Sequence, residues 1–234
     1  MGIYPVRFLF VLFMLASGPS LAGAPSGLSD LPLREFPSMG GEKILLVYFT
    51  GDGGWNNFSQ QLVRQINANH CPVVAFDCRK YFWEAKDPVK FAEDVQRLIS
   101  HYLALWKLEK VALVGYSFGA DVVAFLPAQL QHSFVDKLLP ITLMSPSHST
   151  DFEVRLSDLI GSTKGERKYN VQEALLKSHV PVLCVFGQEE DLYLKENLGG
   201  NKKIRIKHIP GSHRYDNDTA LLTGLIMENI ARLD

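Results

Sequence analysis

The chain has 234 residues, of which 47% are hydrophobic and 11% aromatic, and its formal net charge is −1. This apolar content is enough to build a packed core, so it excludes an intrinsically disordered chain. A charge this close to zero argues against nucleic acid as a partner, because nucleic-acid-binding surfaces need an excess of Lys and Arg. Three cysteines are too few for a disulfide-rich scaffold. The composition therefore predicts an ordinary globular protein.

The start of the chain has the pattern of a secretory signal. Arg7 precedes an apolar run at 8–16, and small residues then follow as far as Ala22. The run is shorter than the roughly 20 residues that a permanent membrane span needs. We expect a signal peptide at 1–22 that is cleaved after Ala22. A retained membrane tether and a buried helix are the alternatives.

The chain after the signal alternates apolar and amphipathic segments. Residues 23–40 are rich in Pro, Gly and Ser and predict a flexible lead-in to a domain at 41–234. Asp87 followed by Pro88 is a strong signal for the start of a helix. The apolar pattern predicts strands at 44–49, 72–76, 111–114, 137–144, 182–186 and 203–209, and helices at 55–67, 88–106, 117–126 and 217–232.

This order of elements predicts an α/β fold. Helices between consecutive strands imply right-handed crossovers and a mainly parallel sheet of about six strands, covered by helices on both faces. The strand at 203–209 alternates isoleucines with basic residues, which is typical of an exposed edge. Residues 147–180 interrupt the alternation with polar sequence, and we expect them to form an excursion over the carboxyl edge of the sheet.

A serine motif lies at the junction of a predicted strand and helix. The sequence G-Y-S-F-G at 115–119 has the strand–turn–helix context of a nucleophile elbow, so Ser117 is the predicted nucleophile. A merely tight turn is the alternative. The backbone N–H groups of Phe118 and of Asp52, in the glycine-rich loop after the first strand, are the predicted oxyanion donors. Gly53 is the alternative to Asp52.

A serine nucleophile needs a base, and the base needs an acid that orients it. In hydrolases with this elbow the acid and then the histidine follow the serine along the chain. Asp191 and His213 lie just after the last two predicted strands, whose carboxyl ends meet at one edge of the sheet. We therefore predict Asp191 as the acid and His213 as the base. Glu190, beside Asp191, leaves the identity of the acid open.

The three cysteines allow one internal disulfide at most. An extended chain of about 3.3 Å per residue separates Cys71 and Cys78 by roughly 20 Å, which excludes a bridge between them. A bridge from either of them to Cys184 stays open.

Several features together are more specific than the serine motif alone. They are the signal-bearing start, G-D-G-G-W at 51–55, R-K-Y-F-W at 79–83, the long helix with Tyr102 and Trp106, G-Y-S-F-G-A-D at 115–121, and Ser145-Pro146. This combination resembles the VirJ/AcvB bacterial virulence-protein family over most of residues 42–233. The resemblance implies an α/β-hydrolase fold and a periplasmic location, with Ser117, Asp191 and His213 at the nucleophile, acid and base positions.

The resemblance also implies a substrate. AcvB-like members hydrolyse lysyl-phosphatidylglycerol, and VirJ-like members are linked to type IV secretion. We therefore expect a periplasmic esterase of an aminoacylated phospholipid, with peripheral membrane contact and with secretion-system proteins as candidate partners. The alternatives are a general carboxylesterase or thioesterase, and a non-catalytic binding protein associated with secretion.

A lysyl ester is positively charged, which favours carboxylates close to the nucleophile. The candidate substrate contacts are Asp121, Asp151, His148 and Trp55. For Asp121 a structural hydrogen bond beneath the elbow is the alternative. Hydrolysis by a triad uses water to release the acyl group, so we expect no metal or organic cofactor.

Overall fold

A computed structural model describes residues 27–154, 167–190, 194, 198 and 201–232. The predicted signal peptide lies outside these ranges. None of the helices within them combines the length and the apolar character that a membrane span requires.

A seven-stranded sheet forms the centre of the molecule. Its strands are β1 (Leu33–Phe36), β2 (Ile44–Phe49), β3 (Val73–Phe76), β4 (Lys110–Tyr116), β5 (Ile141–Met144), β8 (Val182–Gly187) and β9 (Ile204–Ile209). Their spatial order is β1-β3-β2-β4-β5-β8-β9, and all neighbours are parallel except β1 and β3. The predicted α/β fold is confirmed, as is the edge position of the last strand. The strand order reverses at β2 and β4, which is where open α/β sheets form their ligand sites.

The helices cover both faces of the sheet. The predicted helix start at Asp87 and Pro88 is confirmed, since the Asp87 carboxylate accepts hydrogen bonds of 2.9 Å from the N–H groups of Val89 and Lys90. The helices are α1 (Asn57–Ala68), α2 (Cys78–Tyr81), α3 (Pro88–Leu105), α4 (Phe118–Val123), α5 (Leu126–Gln129), α6 (His132–Val135), α7 (Val171–Leu176) and α8 (Thr219–Ile230).

The core divides into two apolar layers, one on each face of the sheet. In β2 the side chains of Leu45, Val47 and Phe49 join the layer that packs on α3. The alternate side chains of Leu46 and Tyr48 join the layer that packs on α1 and α8. This period of two is what a strand buried on both faces requires, and it explains the continuous apolar run in the sequence.

The prediction of a flexible lead-in at 23–40 is wrong for its second half. Leu33–Phe36 forms β1, which pairs with β3 so that Phe36 lies opposite Val73. Leu28 and Leu31 are buried in the core beside it. The four residues of β1 carry no hydrophobic period of their own, so only the pairing with β3 reveals the strand.

Two other predicted segments differ in extent. The predicted strand at 137–144 is confirmed only from Ile141 onward, because a turn after α6 occupies Asp136 and Lys137 and Leu138 forms only a single bridge to Val111. Within the predicted excursion at 147–180, the described residues hold α7 and an antiparallel pair formed by β6 (Ser149–Thr150) and β7 (Tyr169–Asn170).

The cysteine thiols are all buried and unpaired, so the bridge that the sequence left open is not formed. Burial raises the pKa of Cys71 and of Cys184 to about 12. These thiols are therefore protonated at neutral pH and contribute to packing as small apolar groups.

Candidate active site

The nucleophile elbow lies between β4 and α4. Ser117 has φ +53° and ψ −124°, a strained backbone conformation that lifts the side chain out of the strand. A Cβ atom at Gly115 would lie 2.6 Å from Ala120 Cα, and one at Gly119 would lie 2.4 Å from the carbonyl oxygen of Phe49. Both positions of the motif therefore admit only glycine, because the chain passes too close to itself for a side chain.

The predicted base lies in contact with the predicted nucleophile. His213 Nε2 is 2.8 Å from Ser117 Oγ, although the two residues are 96 positions apart in the chain. Tyr116 helps to hold the histidine loop, since its hydroxyl donates a 3.2 Å hydrogen bond to the carbonyl oxygen of His213. The His213 side chain is 52% exposed, so water and a substrate can reach it. The pair has the geometry that a serine nucleophile and its base require.

A carboxylate completes this row of contacts. Glu190 Oε1 lies 2.6 Å from His213 Nδ1, while Oε2 accepts hydrogen bonds from Ser145 Oγ at 3.0 Å and from the Gly187 N–H at 2.8 Å. Burial acts to raise the pKa of Glu190, but the hydrogen bonds with His213, Ser145 and Gly187 hold that pKa below its ordinary value. The group is therefore ionised at neutral pH and can stabilise a protonated imidazole.

Asp191, the sequence's first choice for the acid, lies outside the described residues. The carboxylate that contacts His213 belongs to Glu190, which the sequence had left as the alternative. A shift of one residue in a loop cannot be predicted from spacing, because the loop conformation decides which side chain points toward the histidine.

Two residues that support Glu190 were missed by the sequence analysis. Tyr215 OH lies 2.5 Å from Ser145 Oγ and donates a 3.0 Å hydrogen bond to the carbonyl oxygen of Val185. Burial raises the pKa of Tyr215, so the phenol keeps its proton. The sequence offered two signals for Ser145, namely the Ser145-Pro146 motif and its position directly after β5, at the same sheet edge as the elbow.

The predicted oxyanion donors lie in the two segments that adjoin the serine. Phe118 is the first residue of α4, and Asp52 lies in the loop after β2, in which a Cβ at Gly51 would be 3.3 Å from Ser117 Cβ. Within the described ranges, neither the Phe118 N–H nor the Asp52 N–H donates to a protein acceptor. Their assignment as oxyanion donors stays a prediction.

A cavity of about 490 Å³ opens beside His213. We call it the acidic cavity, because two carboxylates line it and no Lys or Arg is among its described lining residues. Its size is within the roughly 300–1,000 Å³ that is usual for small-molecule sites. Its lining includes Ser147, His148, Phe186, Glu189, Glu190 and Ser212.

The predicted substrate contacts divide between different places. His148 lines the acidic cavity, and its role as a substrate contact stays a prediction. Asp121 does not line this cavity. It is buried and accepts hydrogen bonds from the N–H (2.6 Å) and the hydroxyl (2.5 Å) of Ser147. Asp151 accepts a 3.0 Å hydrogen bond from the Lys168 N–H, away from that lining. Trp55 lies in a second cavity.

The contacts of Asp121 are those of the structural hydrogen bond that the sequence left as the alternative. Burial raises the pKa of Asp121 to about 7, although the hydrogen bonds from Ser147 oppose this shift. The carboxylate therefore braces the segment after β5 against α4.

Within the described ranges, no three His, Cys, Asp or Glu side chains come together in a way that could hold a metal ion. The expectation that the protein uses no cofactor stays a prediction.

The fold and the elbow place this chain in the class of α/β-hydrolase folds, and solved structures agree. Est1E from Butyrivibrio proteoclasticus is 16% identical with a TM-score of 0.58, covering 86% of this chain and 93% of its own. The lipase-esterase related protein from Clostridium acetobutylicum ATCC 824 is 13% identical with a TM-score of 0.61, covering 86% and 99%. An alpha-beta serine hydrolase homologue from Coxiella burnetii is 16% identical with a TM-score of 0.57, covering 85% and 91%.

The model of the bacterial virulence protein (VirJ) family matches residues 43–233, and the chain belongs to that family. The resemblance stated from the motifs is thus confirmed. No curated protein sequence matches the chain.

Proposed function

We propose that this protein is a serine hydrolase that cleaves a carboxylic ester through an acyl-enzyme. The observation that carries the proposal is the row of contacts from Ser117 Oγ through the two ring nitrogens of His213 to the carboxylate of Glu190. A hydroxyl, an imidazole and an ionised carboxylate in this order are the working parts of a serine triad.

The geometry supports a two-step reaction. His213 Nε2 takes the proton of Ser117 as Oγ attacks the ester carbonyl carbon, and Glu190 stabilises the imidazolium that forms. The N–H groups of Phe118 and Asp52 stabilise the oxyanion. His213 then gives the proton to the leaving alcohol as the ester bond breaks. A water molecule, deprotonated by His213, attacks the acyl-enzyme, releases the acid and restores the serine hydroxyl.

The proposed substrate is an aminoacylated phospholipid such as lysyl-phosphatidylglycerol at the periplasmic face of a membrane. Membership of the family supports this choice, together with the likeness to AcvB-like proteins. The acidic cavity supports it independently, because it adjoins His213 and the exposed carboxylate of Glu189 at its rim attracts a positively charged lysyl amine. The signal pattern at 1–22 supports export to the periplasm.

A general esterase is the second candidate. The names of two structural neighbours, Est1E and the lipase-esterase related protein, favour it. A substrate comparison separates the two candidates, because a general esterase has no need for a charged acyl group.

The first test of the proposal is active-site labelling. We expect a fluorophosphonate probe to label the folded protein and to fail with Ser117→Ala, while Ser133→Ala, an exposed serine on α6, keeps the label. Ester hydrolysis should fall by at least about 10³-fold in Ser117→Ala, because that variant lacks the nucleophile.

Each other outcome has a defined meaning. Absence of labelling in the wild-type protein would contradict the hydrolase and favour a secretion-associated binding protein. Turnover of p-nitrophenyl esters without turnover of lysyl-phosphatidylglycerol would favour the general esterase. In cells, accumulation of aminoacylated lipid with Ser117→Ala would support the lipid substrate.

A further inference from the structure

A second cavity, of about 460 Å³, lies next to the loop that follows β2. We call it the cationic cavity and define it by its charged and aromatic lining. We propose that it binds a phosphodiester group of the substrate, an inference that rests on the proposed hydrolase function. Its defining residues are Arg34, Trp55, Asp77, Arg79, Lys80 and Trp83.

The charge of this cavity favours an anion. Arg34, Arg79 and Lys80 contribute three positive charges, and in the part of the chain that the structure describes none of them pairs with an acidic side chain. Asp77 is the one carboxylate among the lining residues, and it is buried and accepts a 3.3 Å hydrogen bond from the Lys80 N–H. Two charges remain in excess. Guanidinium groups suit phosphate oxygens because their N–H donors form a planar fork.

The two tryptophans narrow the choice of ligand. An aromatic pair can hold a quaternary ammonium ion, but three cations in the same space repel such a ligand. The ring of Trp55 is already occupied, since the Arg34 guanidinium lies 5.2 Å from its centre. Trp83 is 53% exposed, and an exposed indole beside basic side chains is typical of a surface that meets lipid headgroups.

One loop connects the cationic cavity to the nucleophile. Gly51 lies against Ser117, with 3.3 Å between a Cβ placed on Gly51 and the serine Cβ. Two and three residues further on, Gly53 and Gly54 line the cationic cavity. Gly54 also packs on Arg79, whose Cβ is 3.1 Å from a Cβ placed on Gly54. A molecule that carries both an ester and a phosphodiester can therefore reach Ser117 and this cavity across a single short loop.

The volume of the cationic cavity has room for a phosphodiester group. Its 460 Å³ are within the roughly 300–1,000 Å³ of ordinary small-molecule sites. A phosphodiester carries one negative charge and neutralises one of the two excess positive charges. The other positive charge can contact a neighbouring headgroup oxygen or the next phosphate of a membrane surface.

The test is a binding measurement that does not depend on turnover. Monomeric dihexanoylphosphatidylglycerol is titrated calorimetrically into Ser117→Ala protein, with and without Arg79→Gln. We expect Arg79→Gln to weaken binding by about tenfold, because a charge-assisted hydrogen bond to phosphate is lost. Lys80→Gln serves as the second variant should Arg79→Gln fold poorly. Lys202→Gln, an exposed lysine just before β9, is the control and should change affinity less than twofold.

The outcomes separate this inference from the hydrolase proposal. Unchanged affinity in both Arg79→Gln and Lys80→Gln would overturn the inference, as would inorganic phosphate binding as tightly as the diester. Fluorophosphonate labelling of Ser117 without any binding of the diester would refute the cationic cavity and leave the hydrolase standing. Diester binding without labelling would refute the hydrolase while supporting a phosphodiester site.

Discussion

The acidic and the cationic cavity lie at the same edge of one sheet, yet their charges are opposite. The acidic cavity opens where β5, β8 and β9 end, and its carboxylates come from the loop after β8. The cationic cavity lies beside β3 and β1, and its basic residues come from β1 and α2. The elbow after β4 and the loop after β2 lie between them. The parallel sheet supplies the edge, and each loop that leaves it sets the local charge.

The two cavities also differ in how their charges are held. Glu190 is fixed by contacts with His213, Ser145 and the Gly187 N–H, so its orientation is determined before a substrate arrives. Arg34 and Arg79 are exposed and form no ion pair among the described residues. The first arrangement is preorganised for proton transfer, and the second leaves charge available for a ligand. Substitutions at the acidic cavity and at the cationic cavity test this difference.

The largest effect is expected at the acid. Glu190→Gln keeps the shape of the side chain but removes the charge that stabilises the imidazolium, so kcat should fall by about 10³- to 10⁴-fold. The matched variant Asp191→Asn should lower kcat by less than tenfold. Steady-state kinetics with a p-nitrophenyl ester measures both, and the reverse order of the two effects would return the acid role to Asp191.

The second-largest effect is expected on the pH dependence of stability, through Asp121, to which we assign a structural role. Because burial raises the pKa of Asp121 to about 7 from 3.8, the folded state binds its proton more tightly than the unfolded state. The contribution of this group to stability is therefore present at low pH and is lost as the pH rises to about 7. Asp121→Asn cannot titrate, so it removes this dependence.

Urea unfolding at pH 5 and at pH 8 measures this difference. Between these two values the wild-type protein should lose on the order of 2 kcal/mol of unfolding free energy relative to Asp121→Asn. Glu93→Gln, an exposed carboxylate on α3, is the control and should follow the wild-type curve. Parallel curves for the wild type and Asp121→Asn would mean that Asp121 does not change its charge between pH 5 and pH 8, which would contradict its raised pKa.

The smallest effect is expected at the rim of the acidic cavity. Glu189 is exposed, so its attraction for a lysyl amine is screened by water. Glu189→Gln should reduce the ratio of kcat/KM for a lysyl ester to that for a neutral ester by about threefold. Glu93→Gln, on the exposed face of α3, should leave the ratio as it is in the wild type. An equal ratio in Glu189→Gln would show that the acidic cavity does not select the amine.

Most of the fold could be predicted from the sequence, because apolar runs and helix-start signals are local features of the chain. The apolar runs at 44–49 and 182–186 matched the buried strands β2 and β8, and Asp87 with Pro88 marked the start of α3. The prediction failed at β1, since four residues without a hydrophobic period form a strand only because β3 offers its edge.

The sequence by itself predicted the nucleophile elbow, because Gly115 and Gly119 lie two residues on either side of Ser117 at the junction of a strand and a helix. It also placed a histidine and acidic residues at the ends of neighbouring strands. Only the tertiary structure decided that Glu190 contacts His213, that Ser147 binds Asp121, and that Arg34 joins Arg79 beside the loop after β2. The reason is physical: local signals set the path of the backbone, whereas loop conformation and packing between distant segments set which side chains meet.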